Sequence, residues 1–225
     1  MNAGAEQVVE EARASLEEGD LEGARSAYRR ALELRPDDAS VLVDFGQLSF
    51  AAGDTAEAIS CFGKALEREP GNVDALRALV EIHRREGRRD EAFEAAQSLA
   101  EARPADPLAA IDVADLALEL ERLDEAEAAF RRLLEFDDDP EHDVPYAQHG
   151  LIEIEIRRGR WRRALDLAVD ATRVDRLGRT TDVLAFVVAQ VFGAGDRPTP
   201  ERPAIADALA RSRTEHRRHH AGSLD

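Results

Sequence analysis

A single cysteine, Cys61, excludes an internal disulfide, so no covalent staple holds this chain together. It also excludes the paired Cys-x-x-Cys motifs of zinc ribbons and thiol oxidoreductases. Aromatic residues make up only 5% of the chain, with one tryptophan, Trp161. No alternating runs of β-branched and aromatic residues flank a hairpin turn, so the signal for strands is missing. No apolar run reaches the ~20 residues of a membrane helix, and the most apolar stretch, 183–192, is about half as long. Residues 1–11 are acidic and lack an apolar core, so they do not read as a signal peptide. The expectation is a soluble cytoplasmic protein without membrane contact.

The motifs of common chemistries are missing too. Lys64, the only lysine, follows Gly63, but no GxxxxGK[ST] phosphate loop surrounds the pair. There is no HExxH and no GxSxG. The chain is therefore expected to be non-catalytic, with no cofactor and no metal. Cys61, next to Phe62, reads as a small packing residue and not as a nucleophile.

What is present favours helices. Of 225 residues, 44% are hydrophobic and 34% charged, and the commonest types (Ala, Leu, Glu, Arg) are strong helix formers. The net charge of −17 opposes general binding to nucleic acid or anionic membrane. That charge is uneven: residues 1–140 carry 34 acidic and 16 basic residues, whereas residues 141–225 carry 13 and 14.

The strongest signal is internal repetition. Gly19, Gly53 and Gly87 recur every 34 residues, each followed five places on by Ala24, Ala58 and Ala92. A fourth copy has Glu121 where Gly is expected, then Ala126, and a fifth has Gly159, then Ala164. An aromatic follows the Ala by four in three copies (Tyr28, Phe62, Phe130), and Pro36, Pro70 and Pro104 close the first three. Each feature has a physical role. Gly tolerates the left-handed turn that ends a first helix. Ala permits a close helix crossing, the aromatic fills the gap to a neighbouring helix, and Pro stops the second helix. Apolar spacing agrees: Leu42, Phe45, Leu48 and Ser49 share one helical face, as do Ala58, Ile59, Phe62, Ala65 and Leu66 in the partner helix.

On these residues the sequence resembles the tetratricopeptide-repeat (TPR) family, whose period is 34 residues. The segment GDLEGARSAYRRALELRPDD, Gly19 to Asp38, is similar to the second half of a family repeat nearly throughout. The resemblance implies an all-α, right-handed α-solenoid of helix-turn-helix repeats. Five repeats are expected, at about 5–38, 39–72, 73–106, 107–140 and 145–178. A degenerate sixth helix pair, 179–218, caps the stack, and a flexible tail, 219–225, follows.

In this family the first helix of each pair lines the concave side. The resemblance therefore implies a groove containing Arg13, Asp44, Gln47, Phe50, Asp74, Arg77, Glu81, Arg84, Asp112 and Asp115, with Glu6, Glu10 and Glu153 beside them. This set is mostly acidic, so a basic or amphipathic protein segment is the expected partner. Family members that clamp chaperone C-termini use Lys, Asn and Arg. Val9, Arg13, Asp44, Asp74 and Ala78 stand at those places here, which argues against a carboxylate clamp.

Two other features stand outside the groove. The run from Asp137 to Asp143 is densely acidic but lacks the Gly and spacing of an EF-hand, and reads as a solvated linker. Arg157, Arg158, Arg160, Arg162 and Arg163 form a basic cluster, and the tail adds His216, His219 and His220 among arginines. The first functional expectation is a scaffold or adaptor. A second is self-assembly of the acidic front onto the Arg-rich rear, giving a homo-oligomer. A third, opposed by the overall charge, is a regulator that touches nucleic acid through the tail.

Overall fold

The computed structural model describes residues 3–136 and 143–174, and these form ten α-helices with no strand among them. They are α1 (Ala3–Glu17), α2 (Leu21–Leu34), α3 (Ala39–Ala51), α4 (Thr55–Arg68), α5 (Val73–Arg85), α6 (Arg89–Ala102), α7 (Pro107–Glu119), α8 (Leu123–Leu133), α9 (Asp143–Arg157) and α10 (Trp161–Val174). The chain divides into two compact units, residues 1–104 with α1 to α6 and residues from 105 onward with α7 to α10. Within each unit consecutive helices pack as hairpins, and each hairpin packs on the next. The proposed sixth helix pair, the tail and the acidic run 137–142 lie outside the described residues.

The turns inside the hairpins explain the glycine period. Gly19, Gly53, Gly87 and Gly159 have φ of 78°, 84°, 71° and 70°, the left-handed region open to glycine. Glu121 occupies the fourth such position and adopts φ 56° as well. All five turns carry the same closing bond. The N–H after the left-handed residue donates to the carbonyl five residues back, at 2.8 Å in each case: Asp20 to Ser15, Asp54 to Ser49, Arg88 to His83, Arg122 to Ala117 and Arg160 to Glu155. This is the Schellman arrangement, which satisfies carbonyls that a helix end leaves without partners.

The residue that completes each turn also starts the next helix. Asp20 and Asp54 accept side-chain caps from the Gly23 and Glu57 N–H groups. Arg88 and Arg122 have no acceptor and make no such cap. Asp38, Asn72 and Asp106 cap α3, α5 and α7, each two residues after Pro36, Pro70 or Pro104. Proline thus ends one helix and a polar cap opens the next.

The core follows the repeat. Ala24, Ala58, Ala92, Ala126 and Ala164 are fully buried, as close helix crossings require. Tyr28, Phe62 and Phe130 are buried knobs, each contributing about 2–3 kcal/mol through removal from water. The third repeat carries Ala96 where those aromatics stand, and Phe93, three residues earlier, is fully buried there. Two helical glycines give large rings room. A Cβ on Gly46 would lie 2.8 Å from the Phe62 ring, and one on Gly150 would lie 2.3 Å from the Phe130 ring.

Candidate interaction surfaces

In the first unit, α1, α3 and α5 display most of the expected groove residues. Glu6, Glu10, Arg13, Gln47, Asp74, Arg77 and Glu81 are exposed, while Asp44, Phe50 and Arg84 are half-buried. Arg13 is already engaged: it donates to Glu10 at 3.2 Å and to Asp44 at 3.1 Å. The bond to Asp44 and its charge raise the pKa of Arg13 above the ordinary guanidinium value. The Arg85 guanidinium lies 5.1 Å from the centre of the Phe50 ring and pairs with Glu81. An aromatic surface, a cation and a carboxylate therefore meet where α3 and α5 pack.

In the second unit Asp112 and Glu153 are half-buried on α7 and α9. Asp115 differs from its expected role as a groove residue. It is 5% exposed, and Oδ1 accepts the Tyr146 hydroxyl, so it joins α7 to α9 instead of facing a partner. Tyr146 also stacks at 5.8 Å, tilted, on Phe130.

The arginine cluster is largely engaged within its own unit. Arg157 donates to the Leu118 carbonyl at 2.7 Å, to Glu121 at 2.9 Å and to Glu153 at 2.5 Å. Arg158, 12% exposed at its side chain, reaches Glu127 and Asp124 of α8, and Glu155 at 3.4 Å. Those carboxylates raise its pKa, and its hydrogen bond holds Glu127 below the usual carboxylate range. Arg160 lies 3.5 Å from Glu155. Arg162 and Arg163 are exposed on α10. The members of the cluster thus differ: Arg157 and Arg158 tie α9 to α7 and α8, Arg160 makes one long contact with Glu155, and Arg162 and Arg163 are exposed. Trp161 packs with Ile152 and the alanines of α10.

A second ionic knot was not foreseen from sequence. Arg25 of α2 donates to Asp54 at 2.6 Å and Glu57 at 2.5 Å, and Glu57 also accepts from Arg29 at 2.9 Å and from the Ser49 hydroxyl at 2.9 Å. Burial alone would raise the pKa of Glu57, but the Arg29 and Ser49 bonds with the arginine charges outweigh it and lower it. Only a count of the residues between Arg25 and Asp54, almost one period, hints at the pairing in the sequence.

Other groups offer little chemistry. Cys61 is buried beside Phe62, and burial pushes its thiol up to about 11, so little thiolate forms near neutrality. Among the described residues no three His, Cys, Asp or Glu side chains converge as metal ligands. No described helix is long and apolar enough to cross a membrane.

Comparison with known proteins agrees with this geometry. Residues 6–110 match the profile of the cilia and flagella-associated protein 70 middle TPR-like domain, and residues 83–144 match that of the tetratricopeptide repeat. A tetratricopeptide repeat protein from Parabacteroides merdae superposes with TM-score 0.59 at 19% identity, over 84% of this chain and 73% of that one. A MamA protein superposes with TM-score 0.61 at 15% identity, over 88% and 100%. A MamA fragment from Desulfovibrio magneticus gives 0.57 at 19% identity, over 78% and 97%. At these identities the likeness is one of fold. No curated protein sequence matches significantly. The chain belongs to the tetratricopeptide-repeat family, an all-α class of helix-hairpin arrays suited to holding other proteins.

Proposed function

We propose that this protein is a non-catalytic scaffold that binds a basic, amphipathic helical segment of a protein partner on the first-helix face of its first unit. The observation that carries this reading is the junction of α3 and α5. There a half-buried Phe50 lies under Arg85, which is paired with Glu81, and exposed Asp74 stands on the same helix as Glu81. A partner's apolar side chain gains contact with Phe50, while its lysines or arginines meet Glu81 and Asp74. Arg13 is held by Glu10 and Asp44, and the acidic residues of this face (Glu6, Glu10, Asp44, Asp74 and Glu81) outnumber its arginines (Arg13, Arg77, Arg84 and Arg85), which favours a basic segment over an acidic one.

The test is titration of the full chain with a basic amphipathic helical peptide and with its charge-reversed counterpart. The basic peptide should bind, and Glu81→Lys or Phe50→Ala should each weaken it about tenfold. Equal binding of both peptides would refute the reading.

A second reading is self-association through Arg162 and Arg163, the members of the cluster that face solvent. It predicts an oligomer in light scattering that dissociates with added salt and is lost in Arg162→Glu/Arg163→Glu. A monomer at low salt would exclude it.

A further inference from the structure

Within the second unit, α8, α9 and α10 enclose an open cavity of about 280 Å³. Glu127 and Arg131 of α8, Glu155 of α9, and Arg163 and Asp166 of α10 line it, with Leu151 and Leu167 as apolar wall. The charges are not equivalent. Glu127 already accepts from Arg158 and pairs with Arg131, so its acceptors are engaged. Glu155 is different. Its side chain is 7% exposed, and both of its arginine contacts, 3.4 Å from Arg158 and 3.5 Å from Arg160, are long and fall on Oε1. Oε2 is buried and has no hydrogen-bond partner.

A buried carboxylate oxygen without a donor costs free energy that a donor of the right geometry would recover. An acceptor-only group calls for a donor, and a carboxylate favours a charged one. Asp166, exposed on α10, adds a second acceptor, and with Arg163 counted the lining holds three acidic and two basic side chains, a net of −1. The carboxylates here do not converge closely enough to surround a metal ion. A guanidinium is wider and planar, with five donors in a fork, and so can bridge separated carboxylates. The leucine wall suits the methylene stem behind such a head.

We propose that this cavity is a binding site for a guanidinium group, held by Glu155 and Asp166 with its aliphatic stem against Leu151 and Leu167. The site lies among α8, α9 and α10 of the second unit, so it is independent of the α3–α5 face in the first unit. A guanidinium can come from free arginine or from an arginine side chain of a protein partner, and the experiment separates the two.

Full-length protein would be titrated with free L-arginine and with a short blocked peptide carrying one arginine among alanines, each to about 10 mM, with nuclear magnetic resonance of α8 and α10 amides as readout. Saturable shifts with the peptide alone assign a protein side chain as the source, and saturable shifts with free arginine assign a small molecule. Either way, Glu155→Gln and Asp166→Asn should each weaken binding about tenfold. Asp166 is exposed, so D166N tests the site even where E155Q fails to fold. No saturable shift with either probe, or unchanged affinity in D166N, would overturn the proposal and leave water as the partner of Oε2. Glu81→Lys and Phe50→Ala should leave these shifts unchanged, so failure here and failure at the α3–α5 face are distinguishable.

Discussion

Gly150→Ala should destabilise the second unit by more than its chemistry suggests. Gly150 lies in α9 against α8, and an added Cβ would come within 2.3, 2.4 and 2.5 Å of three atoms of the Phe130 ring. Phe130 is 1% exposed and stacks on Tyr146, whose hydroxyl is bound to Asp115. Three simultaneous overlaps cannot be relieved by spinning the ring, so α8 and α9 must separate or the ring must leave its rotamer. Overpacking of this kind costs about 1–3 kcal/mol, and three overlaps with a sealed ring put this site at the top of that range. Alanine's better helix propensity returns about 1 kcal/mol. The expected net loss is about 2 kcal/mol. Urea denaturation followed by circular dichroism measures it. The decisive control is a double-mutant cycle with Phe130→Leu, which shortens the knob. In the F130L background G150A should be neutral or mildly stabilising, a coupling well above the ~0.5 kcal/mol seen between independent sites. If G150A costs the same in both backgrounds, the ring and the α9 backbone do not meet and the packing argument is wrong. Gly46→Ala, with a nearest contact of 2.8 Å to Phe62, should cost distinctly less.

Glu121→Gly should stabilise the second unit by about 1 kcal/mol, because it removes a side chain from the left-handed conformation and loses only an exposed ion pair with Arg157. The midpoint of thermal unfolding reports it, and a decrease would contradict the strain argument. Arg158→Ala should cost about 2 kcal/mol, since it strips a donor from Glu127 and Glu155, both largely buried, whereas Arg162→Ala on the exposed face should change stability by less than about 0.5 kcal/mol. Equal effects in chemical denaturation would show that the network is not structural. Burial first, and then the charge of Arg88, lower the pKa of His83. The unfolded histidine therefore takes up its proton at a higher pH than the folded one. Stability from this group is present above about pH 6.5 and is lost as pH falls through the lower, folded value. Melting temperature against pH should show this limb, and His83→Gln should remove it. What remains is the fall below about pH 4.5, where Asp54, Glu57 and Glu127, all lowered, regain protons.

The hairpin array was legible because its determinants are local. A left-handed turn needs a residue without Cβ strain, a helix start needs an acceptor, and a close crossing needs a small side chain. Gly19, Asp20 and Ala24 state all three within six residues, and the same pattern repeats at Gly53, Asp54 and Ala58. Glu121 marks the limit of that logic. The turn forms there against the residue's own preference, because the Schellman bonds and the helices on either side over-determine it.

Surface roles were much less legible. Asp115 has the spacing of a displayed groove residue, and Tyr146, 31 residues later, converts it into a buried tie. Arg157 and Arg158 read as free positive charge until α7 and α8 place Glu121, Glu127 and Asp124 beside them. Gly150 looks like a weak point in a helix until Phe130 is packed against it. The sequence by itself determined the helices, their turns and the family, because backbone conformation answers to neighbours along the chain. Tertiary structure decided which charges are available and which cavity is short of a donor. Those properties depend on residues about one repeat away, and a side chain's free energy is set by what packing removes from water and what it supplies in exchange.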